Sequence, residues 1–292
     1  PMVYTAHDLT CVCPAISMRS PNGLCERCLS GHFGACVKQR CIKGSLLKSA
    51  LGAEEARYLR RHHSYDKIDL YIAPSNFIRD KLLAGRFTHS PIETMLNFLP
   101  DGVADACTPA RDGALLFVGR LSQEKGALTL IRAMALLPNE RLIVLGDGPE
   151  RETAEALLDE LSLRGRVELR GQVSHDEVRA ALRACKAVVL PSECYEAYAY
   201  AGSEALAQGK PILGAAIGGI PEQVGDDRGF LFEVGQPASL AQSVERLNAL
   251  SDADFLRMSE AALAFARGNF DAQRYGEALV AKYDEIRNRH GA

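Results

Sequence analysis

Ala114-Leu-Leu-Phe-Val-Gly-Arg-Leu-Ser-Gln-Glu-Lys-Gly126-Ala-Leu-Thr-Leu-Ile-Arg-Ala-Met134 is the stretch on which the reading of the fold turns. A short continuous apolar run, 114–118, is followed by a Gly-bearing loop and then by apolar residues at helical spacing, which reads as strand, loop and helix. The pattern repeats downstream. Strands are expected at 141–145, 167–170, 187–190, 211–215 and 229–232, with helices at 126–137, 150–161, 175–184, 201–208 and near Glu222. Strands that alternate with helices imply a doubly wound parallel sheet. In such sheets ligands bind at the carboxyl ends of the strands. Helices at 240–250, 254–267 and 271–289 close the chain.

Upstream, 2–6 reads as a buried strand ending at His7-Asp8, and 9–44 as an irregular Cys- and Gly-bearing region. Residues 45–62 turn helical, with Leu46, Leu47, Ala50, Leu51, Ala56 and Leu59 at helical spacing. Residues 68–73 form a strand, and Pro74-Ser75 caps a helix toward Leu83. Pro, Gly and Asp crowd 97–112, the composition of an interdomain linker. The expected organisation is a first domain over 1–96, a linker over 97–112 and a second domain over 113–270. A helix over 271–292 is expected to cross back to the first domain. Pro1-Met-Val-Tyr-Thr looks like an interior strand, so the chain is expected to begin partway into a domain.

Bulk properties narrow the function. The 292 residues are 47% hydrophobic and 24% charged, as in globular proteins. A net charge of -3 argues against a nucleic-acid partner, which requires a surplus of Lys and Arg. No apolar run reaches the roughly 20 residues that span a bilayer. The 9 cysteines, without a secretion signal, fit a reducing cytoplasm.

The chemistry-bearing residues follow strands. Gly119-Arg120 and Lys125-Gly126 flank a helix start, where two cations suit a diphosphate and side-chain-free backbone permits close approach. A solvated loop pair is the competing reading. Gly146-Asp147-Gly148-Pro149 reads as a turn before a helix and is no dinucleotide fingerprint, which weakens a nicotinamide or flavin enzyme. Pro191 to Pro211 places Glu196 in a loop and Glu204 in the next helix. Acceptor-only carboxylates grip sugar hydroxyls. Eight helical steps span about 12 Å, which suits two parts of one extended ligand. A glycosidase pair would lie closer, within about 5–9.5 Å. Gly218-Gly219-Ile220-Pro221-Glu222 offers backbone N–H groups for an anion or, equally, a tight turn with Pro at the first helical position. Cys25, Cys28, Cys36 and Cys41 are spaced for a structural zinc or are plain reduced thiols. The basic stretch from Lys43 to Arg61 suits an anionic membrane surface or a solvated face.

Taken together, these motifs resemble the family 4 retaining glycosyltransferases, over nearly the whole chain and most tightly from 114 to 233. The resemblance implies the GT-B fold, an α/β architecture of two Rossmann-like doubly wound domains, here with the N-terminal one incomplete. On the resemblance, about a hundred residues that the family carries before the His7 strand are expected to be missing here. The resemblance also implies that Arg120 and Lys125 bind the donor diphosphate, Glu196 the transferred sugar, Glu204 the ribose, and that His7 lies beside the sugars. Gly119, Gly146, Tyr198, Ala199, Gly218 and Gly219 complete the expected donor contacts. Ala197-Tyr198-Ala199 stands where the family usually has Pro-aromatic-Gly. The donor would be a UDP-, GDP- or ADP-sugar, with no cofactor required, and the acceptor a glycan or lipid-linked hydroxyl in bacterial polysaccharide synthesis. A sugar-nucleotide epimerase or a non-catalytic nucleotide-binding fragment are the alternatives.

Overall fold

In the computed structural model, which describes residues 1–100, 102–104 and 110–291, the short apolar runs form buried parallel strands. Part of the expected 97–112 linker, with Cys107, lies outside the described residues. The chain divides into two compact units, one of residues 1–97 with 273–292 and the other of 98–272.

The first unit is built on a parallel sheet in the order β1 (Val3–Thr5), β4 (Leu70–Ala73), β5 (Ile92–Thr94). Every residue of β4 is buried, as expected of a strand covered on both faces. Between β1 and β4 run a two-stranded ribbon, β2 (Arg19–Ser20) with β3 (Gly23–Leu24), and helices α1 (Gly34–Gln39) and α2 (Leu46–Arg61). The ribbon and α1 lie inside the stretch expected to be irregular. Each is shorter than the window over which a period becomes visible. Ser45 caps α2, and Ser75 caps α3 (Asn76–Gly85), each accepting from a backbone N–H three residues on. The last helix, α11 (Ala272–Gly291), lays Ile286 on Leu70 and Ile72, with Val3, Met95 and Leu279 around them.

The second unit has a six-stranded parallel sheet: β11 (Gly229–Phe232), β10 (Ile212–Ala215), β9 (Ala187–Leu190), β6 (Leu115–Val118), β7 (Leu142–Leu145), β8 (Val167–Gly171). Central β9 and β10 are buried throughout, whereas edge strand β8 alternates, with Glu168 and Arg170 exposed. The crossovers are α4 (Ala127–Met134), α5 (Arg151–Glu160), α6 (His175–Ala184), α7 (Tyr200–Ala207) and α8 (Ile220–Val224), and α9 (Pro237–Asn248) and α10 (Asp252–Asn269) follow. A capping box starts α6, in which Ser174 and Glu177 satisfy each other's backbone N–H. A buried network ties three elements together. Lys186 Nζ meets both Glu140 oxygens at 2.9 and 2.8 Å and Asn248 Oδ1 at 2.9 Å, while Asn248 Nδ2 donates to Glu140 at 2.8 Å.

From β6 the chain steps outward to β7 and β8, then returns to the opposite side of β6 as β9. The order of strands therefore reverses between β6 and β9, and a crevice opens at their carboxyl ends.

Candidate active site

The loops after β6 and β9 meet over that crevice and hold each other in place. Gly126 has φ +67°, and a Cβ there would lie 1.9 Å from the Pro191 carbonyl oxygen, so only glycine lets the two loops approach. Glu193 N–H donates to the Glu124 carbonyl at 2.8 Å, and Thr129 Oγ1 donates to Glu193 Oε1 at 2.6 Å. Lys125, ending the 3-10 turn Gln123–Lys125, is thereby brought to Glu196, its Nζ 2.6 Å from Oε1. Buried Ser192 donates its hydroxyl to the same Glu196 oxygen at 2.8 Å.

The cavity beneath this pair has a volume of about 350 Å³ and includes Gly119, Lys125, Glu196, Tyr198, Ala199 and Glu204 in its wall. An open cleft of about 690 Å³ shares Gly119 with it and is bounded by Arg120, Gly146, Asp147, Gly148 and Gln172. A Cβ at Gly119 would meet nothing nearer than the Phe117 ring at 3.4 Å, so packing within the protein does not demand glycine there. What a side chain at 119 would occupy is the open space shared by the two cavities. Arg120 is exposed, and its guanidinium makes no ion pair among the described residues. The structure thus gathers Gly119, Arg120, Lys125, Gly146, Tyr198, Ala199, Glu196 and Glu204 at adjoining cavities of one unit. His7 belongs to the other unit, exposed two residues beyond β1.

Some of the expected donor-contact groups also have partners within the protein. Gly219 N–H is not free for an anion, because it donates to the Glu196 carbonyl at 2.8 Å. Gly218 has φ +63°, and a Cβ there would lie 2.6 Å from the Glu196 backbone N and O. The Gly218-Gly219 turn therefore supports the Glu196 loop from behind. The Ala199 N–H is also engaged. Fully buried Gln223 accepts it at 3.1 Å, returns a hydrogen bond to the Ala199 carbonyl at 2.8 Å and reaches Ser203 Oγ at 3.3 Å. This amide clamp takes over at the start of α7, whose N-cap has no side-chain cap of its own. The Tyr198 hydroxyl is buried without a hydrogen-bond partner, and burial pushes its pKa upward. Its ring meets Phe270 edge-on, centroids 6.2 Å apart. Ser192 and Gln223 were invisible to motif reading, since a lone serine or glutamine carries no spacing signal.

Of the two readings of Cys25, Cys28, Cys36 and Cys41, structural zinc or reduced thiols, the structure favours the thiols. Among the described residues, no group of three or more His, Cys, Asp or Glu is arranged to hold a metal ion. Cys28 and Cys36 are packed with Phe33, Ala53 and Ala56, and Cys41 lies against them. Burial pushes the Cys28 thiol up to about 11 and the Cys36 thiol up to about 12.

Comparison with known proteins follows the same geography. The family described as "Glycosyl transferases group 1" matches residues 108–262. An uncharacterized glycosyltransferase of Methanocaldococcus jannaschii is 34% identical over 145 residues, 48% of this chain and 36% of that protein. The alpha-D-kanosaminyltransferase of Streptomyces kanamyceticus is 30% identical over 178 residues, 59% of this chain and 45% of its own. The matched stretch thus spans less than half the length of these curated relatives. Among solved structures, Anabaena HepE in complex with UDP and glucose superposes with a TM-score of 0.68 at 20% identity, covering 97% of this chain and 71% of that one.

Proposed function

Because the chain belongs to the glycosyl transferases group 1 family, we propose that it moves a sugar from a nucleoside diphosphate to an acceptor hydroxyl with retention at the anomeric carbon, as family 4 enzymes do. Its fold is of the GT-B type. The single observation that carries the reading is the Lys125–Glu196 pair, with Glu204 in the same wall, at the point where the strand order reverses. The UDP and glucose held by HepE support a UDP-hexose donor over a GDP- or ADP-sugar.

In this mechanism the diphosphate lies along Gly119, with Arg120 and Lys125 on its oxygens. As the bond to the anomeric carbon breaks, charge grows on the leaving phosphate and both cations stabilise it. Lys125 exchanges its carboxylate partner for phosphate, which releases Glu196 to accept from sugar hydroxyls. Glu204 accepts from the ribose. The acceptor oxygen attacks from the face the phosphate leaves, and the departing phosphate takes its proton. His7 and Gly218 are assigned to sugar and donor contact on the resemblance. The acceptor is a glycan hydroxyl, free or lipid-linked.

A thermal-shift panel of UDP, UDP-glucose, GDP-mannose and ADP-glucose tests the donor. A ligand at a hundred times its Kd adds about 2.7 kcal/mol of stability, so UDP compounds should raise the melting temperature and the others should not. No shift with any nucleotide would end the reading. Lys125→Met should lower turnover by about 10²–10³-fold with an unchanged melting temperature. Wild-type turnover in that variant would remove Lys125 from the mechanism.

A further inference from the structure

Lys125 and Glu196 are each assigned a different part of the donor, yet they are engaged with one another, Nζ to Oε1 at 2.6 Å. The two partners are held unequally. Glu196 is fixed: its side chain is 13% exposed, Ser192 donates to its carboxylate at 2.8 Å, and its backbone carbonyl accepts from Gly219 N–H. Lys125 ends a 3-10 turn with its side chain 36% exposed, and its flexible four-carbon stem carries three rotatable donors. When the pair opens, the lysine is the part that moves. Arg120, in the same loop, is exposed and makes no ion pair among the described residues. The two cations of the loop therefore differ. Arg120 is ready to meet an anion, whereas Lys125 must first leave a carboxylate.

Opening a partly buried ion pair leaves a charge without its partner on each side. A diphosphate that draws Lys125 away satisfies the ammonium and frees the carboxylate, which then accepts from sugar hydroxyls. A sugar seated on Glu196 likewise frees Lys125 for phosphate. Coupling of this kind is reciprocal, so each ligand strengthens the other by the same factor. We infer that the Lys125–Glu196 pair is a shared gate: closed, it opposes binding in both subsites, and a nucleoside diphosphate and a hexose each open it for the other. The inference rests on the donor reading above and adds an order of events to it. A hexose alone meets a neutralised carboxylate, whereas a diphosphate has Arg120 as its first hold, so the nucleotide leads.

Calorimetric titration of the full chain with UDP, alone and in the presence of D-glucose, D-galactose or D-mannose, reads the coupling without any turnover. At least one hexose should tighten UDP binding by about fivefold or more. Glu196→Gln keeps an acceptor oxygen for Ser192 but releases Lys125. UDP should therefore bind this variant about fivefold or more tightly than it binds the wild type, and no hexose should change that affinity. Lys125→Met should weaken UDP binding and lose the hexose effect as well. A carboxylate that only braced its loop would give the opposite sign, because Glu196→Gln would then leave UDP binding unchanged or weaken it. Either of those results, or wild-type UDP binding indifferent to all the hexoses, overturns the inference and leaves the donor reading standing. Absence of UDP binding by the wild type removes both.

Discussion

At the scale of single residues, the site depends on side chains that never touch the proposed ligand. Gln223 satisfies both backbone groups of Ala199 from inside the core, and its amide leaves no room for a Cβ at Gly202, where the nearest atoms would be 2.7–2.9 Å away. Gln223→Leu should cost about 2–3 kcal/mol, because it strands buried polar groups, and should weaken UDP-glucose binding more than UDP binding. Urea denaturation and calorimetric titration measure the two effects, and equal loss for both ligands would make Gln223 a plain core residue. Much of the site was legible in the sequence, because Gly119, Arg120, Lys125, Glu196 and Glu204 follow strand ends and strand ends are readable. The supports were not. Nothing in a one-dimensional pattern tells that Gly219 donates to Glu196 or that Ser192 lies against its oxygen, since both contacts are made across loops that only folding brings together.

At the scale of elements, short runs predict the second unit's strands to within a residue, because the central strands are continuously apolar, while edge strand β8 alternates at a strand's period of two. Helix starts were equally plain at Ser45, Ser75 and Ser174, whereas α10, capped by Ser251, begins two residues before the expected 254. Ser174→Ala should cost about 1 kcal/mol through loss of the α6 cap, read as a lowered urea midpoint. β5 was missed because its residues, Ile-Glu-Thr, are few and half-buried. For α2 the helical period was right, and it did not say which face is buried. Periodicity finds a stripe but not what lies against it, and only Ala56 of the apolar residues that marked the period is buried. Between α2 and α3, Asp66 accepts from His89 N–H, Thr88 Oγ1 and His63, and the backbone bond above all lowers its pKa from 3.8 to about 2. A carboxylate held low contributes stability above its ordinary pKa and loses it as pH falls through the folded value. The acid limb between pH 3.8 and about 2 should therefore flatten in Asp66→Asn, followed by circular dichroism. An unaltered acid limb would place that sensitivity elsewhere.

At the scale of the whole chain, two units of different construction share one polypeptide. The second carries a buried Lys186–Glu140–Asn248 network that pins β7, β9 and α9 to one another. Glu140→Ala leaves a buried ammonium half-satisfied and should cost about 3–5 kcal/mol, visible in urea denaturation. A much smaller loss would mean that water reaches Lys186. The first unit is discontinuous, and Ile286 of its closing helix covers Leu70 and Ile72 of a strand made some two hundred residues earlier. A ribosome therefore delivers the later unit whole while its predecessor still lacks a wall. During that interval the nascent protein shows bare leucine and isoleucine to any chaperone or protease that finds it first, and the codons of α11 decide how long the exposure lasts.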